Sequence, residues 1–249
     1  MKILVCLKQV PDTETKVKVA ADGKSLDPAD VKWITSPYDE YALEEALRLK
    51  EAKGAEVTVV TVGDEKAKDI LRNAFALGAD SAFLIKGDGQ GDTLAIASIL
   101  AGFAKDKGFD LILSGNKGIG GDNSAVGPML AEMLGMGQAN VVLKLEIGEG
   151  TFRAEREVEG GTEVVEGSLP AVITAQKGLN EPRYASLKGI MAAKKKTIEE
   201  VEVSGHAPAT GTLSMTLPAA RSEGRKLEGD AASQAKALMA ALKNEAKVF

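Results

Sequence analysis

The sequence predicts an α/β protein built on a doubly wound parallel sheet, carrying an added β meander and an extended C-terminal tail. Three observations predict it. Over the first 135 residues, short apolar runs without strict alternation trade places with amphipathic stretches at helical spacing, as strands buried on both faces and their crossover helices do. After Gly135 the apolar runs follow one another through Gly-rich turns, with no helical stretch between them. From residue 204 the composition turns to Gly, Pro, Ser, Thr and Ala, a linker composition.

In chain order, strands are predicted at 3–7, 57–62, 82–85 and 111–113, and helices at 38–53, 65–77, 92–107 and 123–134. The first helix is the best marked. Ser36 stands where a cap belongs, Pro37 suits the first turn, and Asp39 follows Ser36 by three. Its Tyr41, Ala42, Ala46 and Leu49 share a face, which assigns Glu44, Glu45, Arg48 and Lys50 to the others. Gly54, Gly78 and Gly108 each sit where a left-handed helix end is expected. The runs 141–147, 152–158, 162–166 and 171–175, parted by turns such as Gly148-Glu149-Gly150 and Gly160-Gly161, read as a meander on the sheet's edge or face. Residues 177–196 read as a polar loop with an apolar tip and a basic end. Residues 204–228 read as an extended linker, and Asp230 as the cap of a last helix reaching Lys247. The expected division is a nucleotide-binding α/β domain over 1–203 and an arm over 204–249.

Composition narrows the chemistry. With 31 basic against 36 acidic residues and a net charge of −5, no basic surface for nucleic acid is expected. One Cys and one His in 249 residues rule out an internal disulfide and any site built from several cysteines or histidines. Any redox or transfer chemistry then belongs to a bound cofactor. No apolar run reaches the ~18 residues of a membrane span. The start, Met1 to Lys8, is too short in its apolar part for a secretory signal and has no small-residue cleavage site after it. A cytoplasmic protein is expected.

Ligands of open α/β sheets bind beyond the carboxyl ends of the strands, near the switch in strand order. The segments there are Lys8-Gln9-Val10-Pro11-Asp12-Thr13, Gly63-Asp64 and, richest in glycine, Ser114-Gly115-Asn116-Lys117-Gly118-Ile119-Gly120-Gly121-Asp122-Asn123-Ser124-Ala125-Val126-Gly127. The last opens into a helix, so its amides and the helix N-terminus suit a phosphate. It matches neither the dinucleotide fingerprint nor the P-loop, and a long turn before a capped helix is the plain alternative. His206 reads as a solvated linker residue, Cys6 as a small core residue, and Lys194-Lys195-Lys196 as a solvated charge run.

Leu169-Pro170-Ala171-Val172-Ile173-Thr174-Ala175, then Leu179-Asn180-Glu181-Pro182-Arg183-Tyr184-Ala185-Ser186-Leu187, Ile190-Met191 and Ala193-Lys194-Lys195-Lys196, resembles the signature of the electron transfer flavoprotein β subunit. Val5-Cys6-Leu7-Lys8-Gln9-Val10, Glu44-Glu45-Ala46-Leu47-Arg48-Leu49-Lys50, Leu77-Gly78-Ala79-Asp80 and the loop from Gly115 to Gly127 are similar to that family too. The resemblance covers residues 1–200 and weakens in the tail. It implies an adenine nucleotide α-hydrolase-like fold and a heterodimer with an α subunit that holds most of the FAD. It also implies electron transfer from acyl-CoA dehydrogenase-type donors of fatty acid β-oxidation to a membrane quinone oxidoreductase, with no catalytic residues in this chain. By the family's motif, a structural AMP is held by Cys6 (through its backbone), Ser36, Pro37, Tyr38, Asp39, Val62, Gly115, Asn116, Lys117, Gly118, Ile119, Gly120, Gly121, Asp122, Asn123, Ser124, Ala125 and Val126.

In bifurcating members a second FAD fills the AMP pocket. Members of the mitochondrial type carry an aromatic residue near the flavin where this chain has Thr13, and a nucleotide loop more acidic than Gly120-Gly121-Asp122-Asn123. The Lys8 to Thr13 run and Val126-Gly127-Pro128 lean toward the bifurcating group. Asn180-Glu181-Pro182-Arg183-Tyr184 leans toward the ordinary one, which favours AMP. The loop around Leu187 resembles the family's recognition loop, in which a leucine anchors in the partner dehydrogenase, with Tyr184, Ile190 and Met191 beside it. The alternative is that Leu187 and Ile190 cap their own short helix against the body. From another class, a stand-alone adenine-nucleotide-binding stress or regulatory protein would share the fold without an α partner.

Overall fold

The computed structural model describes residues 1–249 apart from Gln90 and Ser222; Ser222, within the linker read at 204–228, lies outside the described residues. The chain forms two compact units, Met1–Ser214 and Met215–Phe249. In the first, β1 (Lys2–Cys6) is followed by a short antiparallel pair, β2 (Gln9–Pro11) and β3 (Trp33–Thr35), then α1 (Pro37–Lys53) and β4 (Glu56–Gly63). A 3-10 turn at Glu65–Ala67 leads into α2 (Lys68–Leu77), β5 (Ser81–Lys86), α3 (Thr93–Ala104), β6 (Leu111–Gly115) and α4 (Val126–Leu134). Next come β7 (Gly137–Ile147), β8 (Thr151–Val158), β9 (Gly161–Ser168), β10 (Ala171–Ala175), α5 (Leu187–Ala193) and β11 (Glu199–Val201).

All strands but the small pair join one sheet of order β11-β5-β4-β1-β6-β10-β7-β8-β9. It is parallel from β11 through β7 and antiparallel from β7 to β9. The doubly wound prediction holds because alternate residues of each central strand meet different helices. Ile3 and Val5 pack with α1 and α2, while Leu4 and Cys6 pack with α3 and α4. No helix among the described residues is long and apolar enough to cross a membrane.

Several expectations need correction. The fourth run of the supposed meander, β10, is a parallel strand between β6 and β7. Every residue of it is buried, so its unalternating Ala-Val-Ile-Thr-Ala was the mark of a central strand. Ser36 holds the N-cap position of α1, but its side chain accepts no amide of the first turn. Its hydroxyl turns to the carbonyl of Lys117 at 3.5 Å. The fourth helix starts at Val126 rather than 123, because Asp122 and Ser124 both take a left-handed backbone (φ 50°) that no helix start accommodates. The third ends at Ala104, with Asp106 and Gly108 in left-handed turns beyond it. Residues 177–196 are not all loop, since α5 lies inside them, and β11 was not foreseen.

The second unit holds α6 (Ala231–Asn244). Asp230 caps it as expected, accepting the Ser233 amide at 2.8 Å. The helix stops short of Lys247, whose backbone is left-handed (φ 52°).

The sheet topology predicts unequal costs for similar truncations. Ile173→Ala in β10, fully buried, is expected to lower unfolding stability in urea by about 2–5 kcal/mol. Val164→Ala on the exposed outer strand β9 is expected to change it by less than about 0.5 kcal/mol.

Candidate functional site

Strand order reverses at β1, with β4 and β5 on one side and β6 and β10 on the other. The carboxyl ends of β1 and β6 are therefore the switch point. Past Cys6 and Ser114, the last residues that β1 and β6 pair with each other, the amides of Lys8 and Gly115 both point at Asp39, in the first turn of α1. Asp39 Oδ2 accepts from Lys8 and Oδ1 from Gly115, each at 2.7 Å. Glycine is required at 115: a Cβ there would stand 2.6 Å from Asp39 Oδ1 and from Tyr38 Cβ, and 2.7 Å from the Tyr38 carbonyl carbon.

The segment 116–125 then arches over this end of the sheet. The Asn116 amide donates to the Ala175 carbonyl at 2.8 Å. Lys117 Nζ lies 5.7 Å over the Tyr38 ring and 3.3 Å from Asp122. Asn123 Nδ2 donates to Thr93 Oγ1 at 2.9 Å, tying the loop tip to α3. The loop runs into α4, whose N-terminus has no side-chain cap; uncapped first amides of a helix suit an anion. Ser114 Oγ, at the foot of the loop, is buried without a hydrogen-bond partner. An uncapped helix start, a glycine cradle and an orphaned hydroxyl fit a phosphate-bearing nucleotide.

The structure gathers the nucleotide-site candidates at this end: Cys6, Ser36, Pro37, Tyr38, Asp39, Val62 and the whole 115–126 segment. Cys6 closes β1, and Val62 lies on the neighbouring β4 with its carbonyl closely approached by Gly89. The Cys6 thiol is buried, and burial with the Asp39 charge pushes its pKa far up, which keeps it protonated and unreactive. Lys8 escaped the sequence reading as a site residue. Its stem passes beneath the loop, where a Cβ at Gly118 would meet Lys8 Cδ at 2.7 Å. Burial lowers the Lys8 pKa against the pull of Asp39, Asp122 and Asp88. A lysine directly after a strand was the available signal. Among the described residues no cluster of His, Cys, Asp or Glu could hold a metal ion.

The docking candidates lie elsewhere. Tyr184, Leu187, Ile190 and Met191 are 98%, 83%, 41% and 61% exposed, on and just before α5. The helix expected under the alternative reading exists, but Leu187 does not cap it against the body. The acids Glu44 and Glu45, assigned to open faces of α1, are buried, because residues 179–183 cover them. Asn180 Nδ2 donates to Glu45 Oε2 at 2.9 Å and to the Tyr41 carbonyl at 3.0 Å. Arg183 grips Glu44 with Nε at 2.8 Å and NH2 at 2.9 Å. Lys196 is no free charge either, since its Nζ donates to the Ala79 carbonyl at 2.6 Å and lies 4.8 Å over the Phe75 ring.

Burial pushes Asp39 up to about 7 from its ordinary 3.8, against the downward pull of the two amides and Lys8. Between those values the folded chain binds the proton that the unfolded chain releases, so this group's contribution to stability falls as pH rises from about 4 to about 7. In melting curves, Asp39→Asn is expected to gain on the native chain across that window and to hold a constant offset above pH 7. An offset independent of pH would contradict the burial of a titrating carboxyl.

The electron transfer flavoprotein domain model matches residues 25–206, well over half of the chain. The chain is 44% identical over 259 aligned residues to electron transfer flavoprotein subunit beta of Bacillus subtilis, covering 100% of both. It is 43% identical over 254 residues to the protein of the same name from Bradyrhizobium diazoefficiens, again over 100% of both. The probable electron transfer flavoprotein subunit beta of Saccharomyces cerevisiae is 38% identical over 239 residues, with 91% of this chain and 92% of the yeast protein covered.

Proposed function

Because this chain belongs to the electron transfer flavoprotein family, we propose that it serves as the β subunit of a two-subunit electron carrier. It takes electrons from flavin dehydrogenases of the acyl-CoA type and passes them toward a membrane quinone oxidoreductase. FAD, held mainly by the α subunit and walled on one side by this chain, supplies the redox chemistry when bound. This chain contributes binding and orientation and has no catalytic residue. The observation that carries the reading is the pairing of a glycine-cradled switch-point loop with a separate exposed apolar helix, in a chain that aligns end to end with β subunits.

In this reading the pocket at the β1/β6 switch holds AMP. The amides of 115–126 and the N-terminus of α4 receive the phosphate, and Lys8 and Lys117 supply positive charge beside it. Cys6, Ser36, Pro37, Tyr38, Asp39 and Val62 complete the wall. Leu187, with Tyr184, Ile190 and Met191, anchors the donor dehydrogenase as a small apolar hot spot. The arm from residue 204 runs along the α subunit, and α6 packs on it through apolar side chains such as Leu238 and Met239, about half exposed in this chain. A bifurcating subunit with a second FAD in the AMP pocket is the second reading, favoured by the Lys8 to Thr13 run and Val126-Gly127-Pro128. A stand-alone nucleotide-binding protein leaves the exposed face of α5 without a purpose.

The nucleotides decide between these. Co-expressed with its α subunit, purified and denatured, the heterodimer is expected to release one FAD and one AMP. Two FAD and no AMP would establish the bifurcating reading, and no flavin at all would overturn both. Leu187→Ala is expected to slow reduction by an acyl-CoA dehydrogenase about tenfold or more, the scale of a lost apolar anchor, with FAD content unchanged. Parallel loss of FAD would make α5 a structural element instead.

A further inference from the structure

A docking surface that is flexible when free must be ordered on binding, which weakens association. The exposed face of α5 is fastened at both ends. Before the helix, the Arg183 guanidinium forks onto Glu44 and also bonds both carboxylate oxygens of Glu51, one turn-pair further along α1. Its own amide donates to Glu44 Oε2 at 3.2 Å, so backbone as well as side chain is held. Glu44 and Glu51 are seven residues apart, which puts them on one face of α1. Arg183 keeps Glu51 below the usual carboxylate range.

After the helix, Arg72 on α2 donates from NH1 to the carbonyls of Ala193 and Lys196 at 2.7 and 2.6 Å. Both acceptors belong to the turn that ends α5, where the Ala193 carbonyl also accepts the Lys196 amide at 3.2 Å, so Arg72 ties that turn to α2. Between the two clamps α5 lies directly on α2: a Cβ at Gly189 would stand 2.2 Å from the Ala76 carbonyl oxygen. Only glycine permits that approach. Ala193 is buried at the far end. The fastened segment therefore turns its remaining side chains outward, with Leu187 and Met191 a helical turn apart.

We infer that Arg183, with Glu44 and Glu51, and Arg72, with the Gly189 contact, are positioning residues that hold the apolar face of α5 in its docking pose before a partner arrives. The inference rests on the reading of that face as the donor's docking site. None of these residues belongs to the proposed nucleotide pocket. They act through Leu187 and its neighbours, so they set the affinity for the donor and leave the electron-transfer step within the bound complex alone.

The test uses the full heterodimer carrying Arg183→Gln, Arg183→Lys, Glu51→Gln or Gly189→Ala, in native and Leu187→Ala backgrounds. Two readouts are taken: amide hydrogen exchange over 184–193, and KM and kcat with an acyl-CoA dehydrogenase as donor. Arg183→Gln and Gly189→Ala are expected to speed exchange in 184–193 about tenfold or more. The same two variants should raise the donor KM several-fold at unchanged kcat and FAD content. Arg183→Lys, which keeps charge but loses the fork, and Glu51→Gln, which trims its exposed half, should fall between. In the Leu187→Ala background the same changes should add little to KM, because their effect passes through Leu187. Unchanged exchange over 184–193 would overturn the inference, as would equal KM increments in both backgrounds. If Leu187→Ala leaves KM untouched, the docking reading fails instead, and the exchange rates still decide whether the clamps hold the segment. Should Arg183→Gln fail to fold, Glu51→Gln and Gly189→Ala carry the test.

Discussion

One buried carboxylate at the point where strand order reverses sets the geometry of this fold. Asp39 bonds the amides of Lys8 and Gly115 at 2.7 Å each, just past the last paired residues of β1 and β6. Two buried amides without partners at that point would each cost about 1–3 kcal/mol, and one side chain satisfies both. The bond fixes where α1 begins, brings Tyr38 against Gly115, and sets the departure of the 116–125 segment. A raised pKa is the consequence of placing that carboxyl in the core.

The same helix then holds a second surface. Asp39 occupies the end of α1 at the strands' carboxyl ends, while Glu44, Glu45 and Glu51 further along hold residues 180–183 and with them the start of α5. A 17-residue helix, about 25 Å long, thus links the proposed nucleotide pocket to the proposed docking face. Rigid placement of both on one element is what the proposed carrier role asks of this chain. The charges used here are buried or gripped bidentately, unlike the exposed pairs on β8 and β9 such as Arg153–Glu166, 40% and 72% open to water, which contribute little.

Much of this was legible in the residues. The four parallel strands and their helices showed through apolar runs of the right length, and the glycine-dense segment after β6 pointed to the switch point before any topology was known. Three things were missed, each for a physical reason. Ala171 to Ala175 looked like one more strand of a meander because sequence order hides insertion into the middle of a sheet. Glu44 and Glu45 looked solvent-facing because their partners, Arg183 and Asn180, lie more than 130 residues away, and charge burial depends on that distant cover. Lys8 was marked only as part of a strand-end segment and not as a site residue, since its proximity to Gly118 arises only when the loop closes over it.

The β1/β6 switch point, built around Asp39, is the proposed seat of this chain's nucleotide. The most direct measurement is amide hydrogen exchange across the nucleotide-stripped heterodimer with and without added AMP. Exchange is expected to slow at Lys8, at 36–39 and across 115–126, with the meander and 184–193 unchanged. Protection confined to the meander, to α5 or to the α subunit would contradict it.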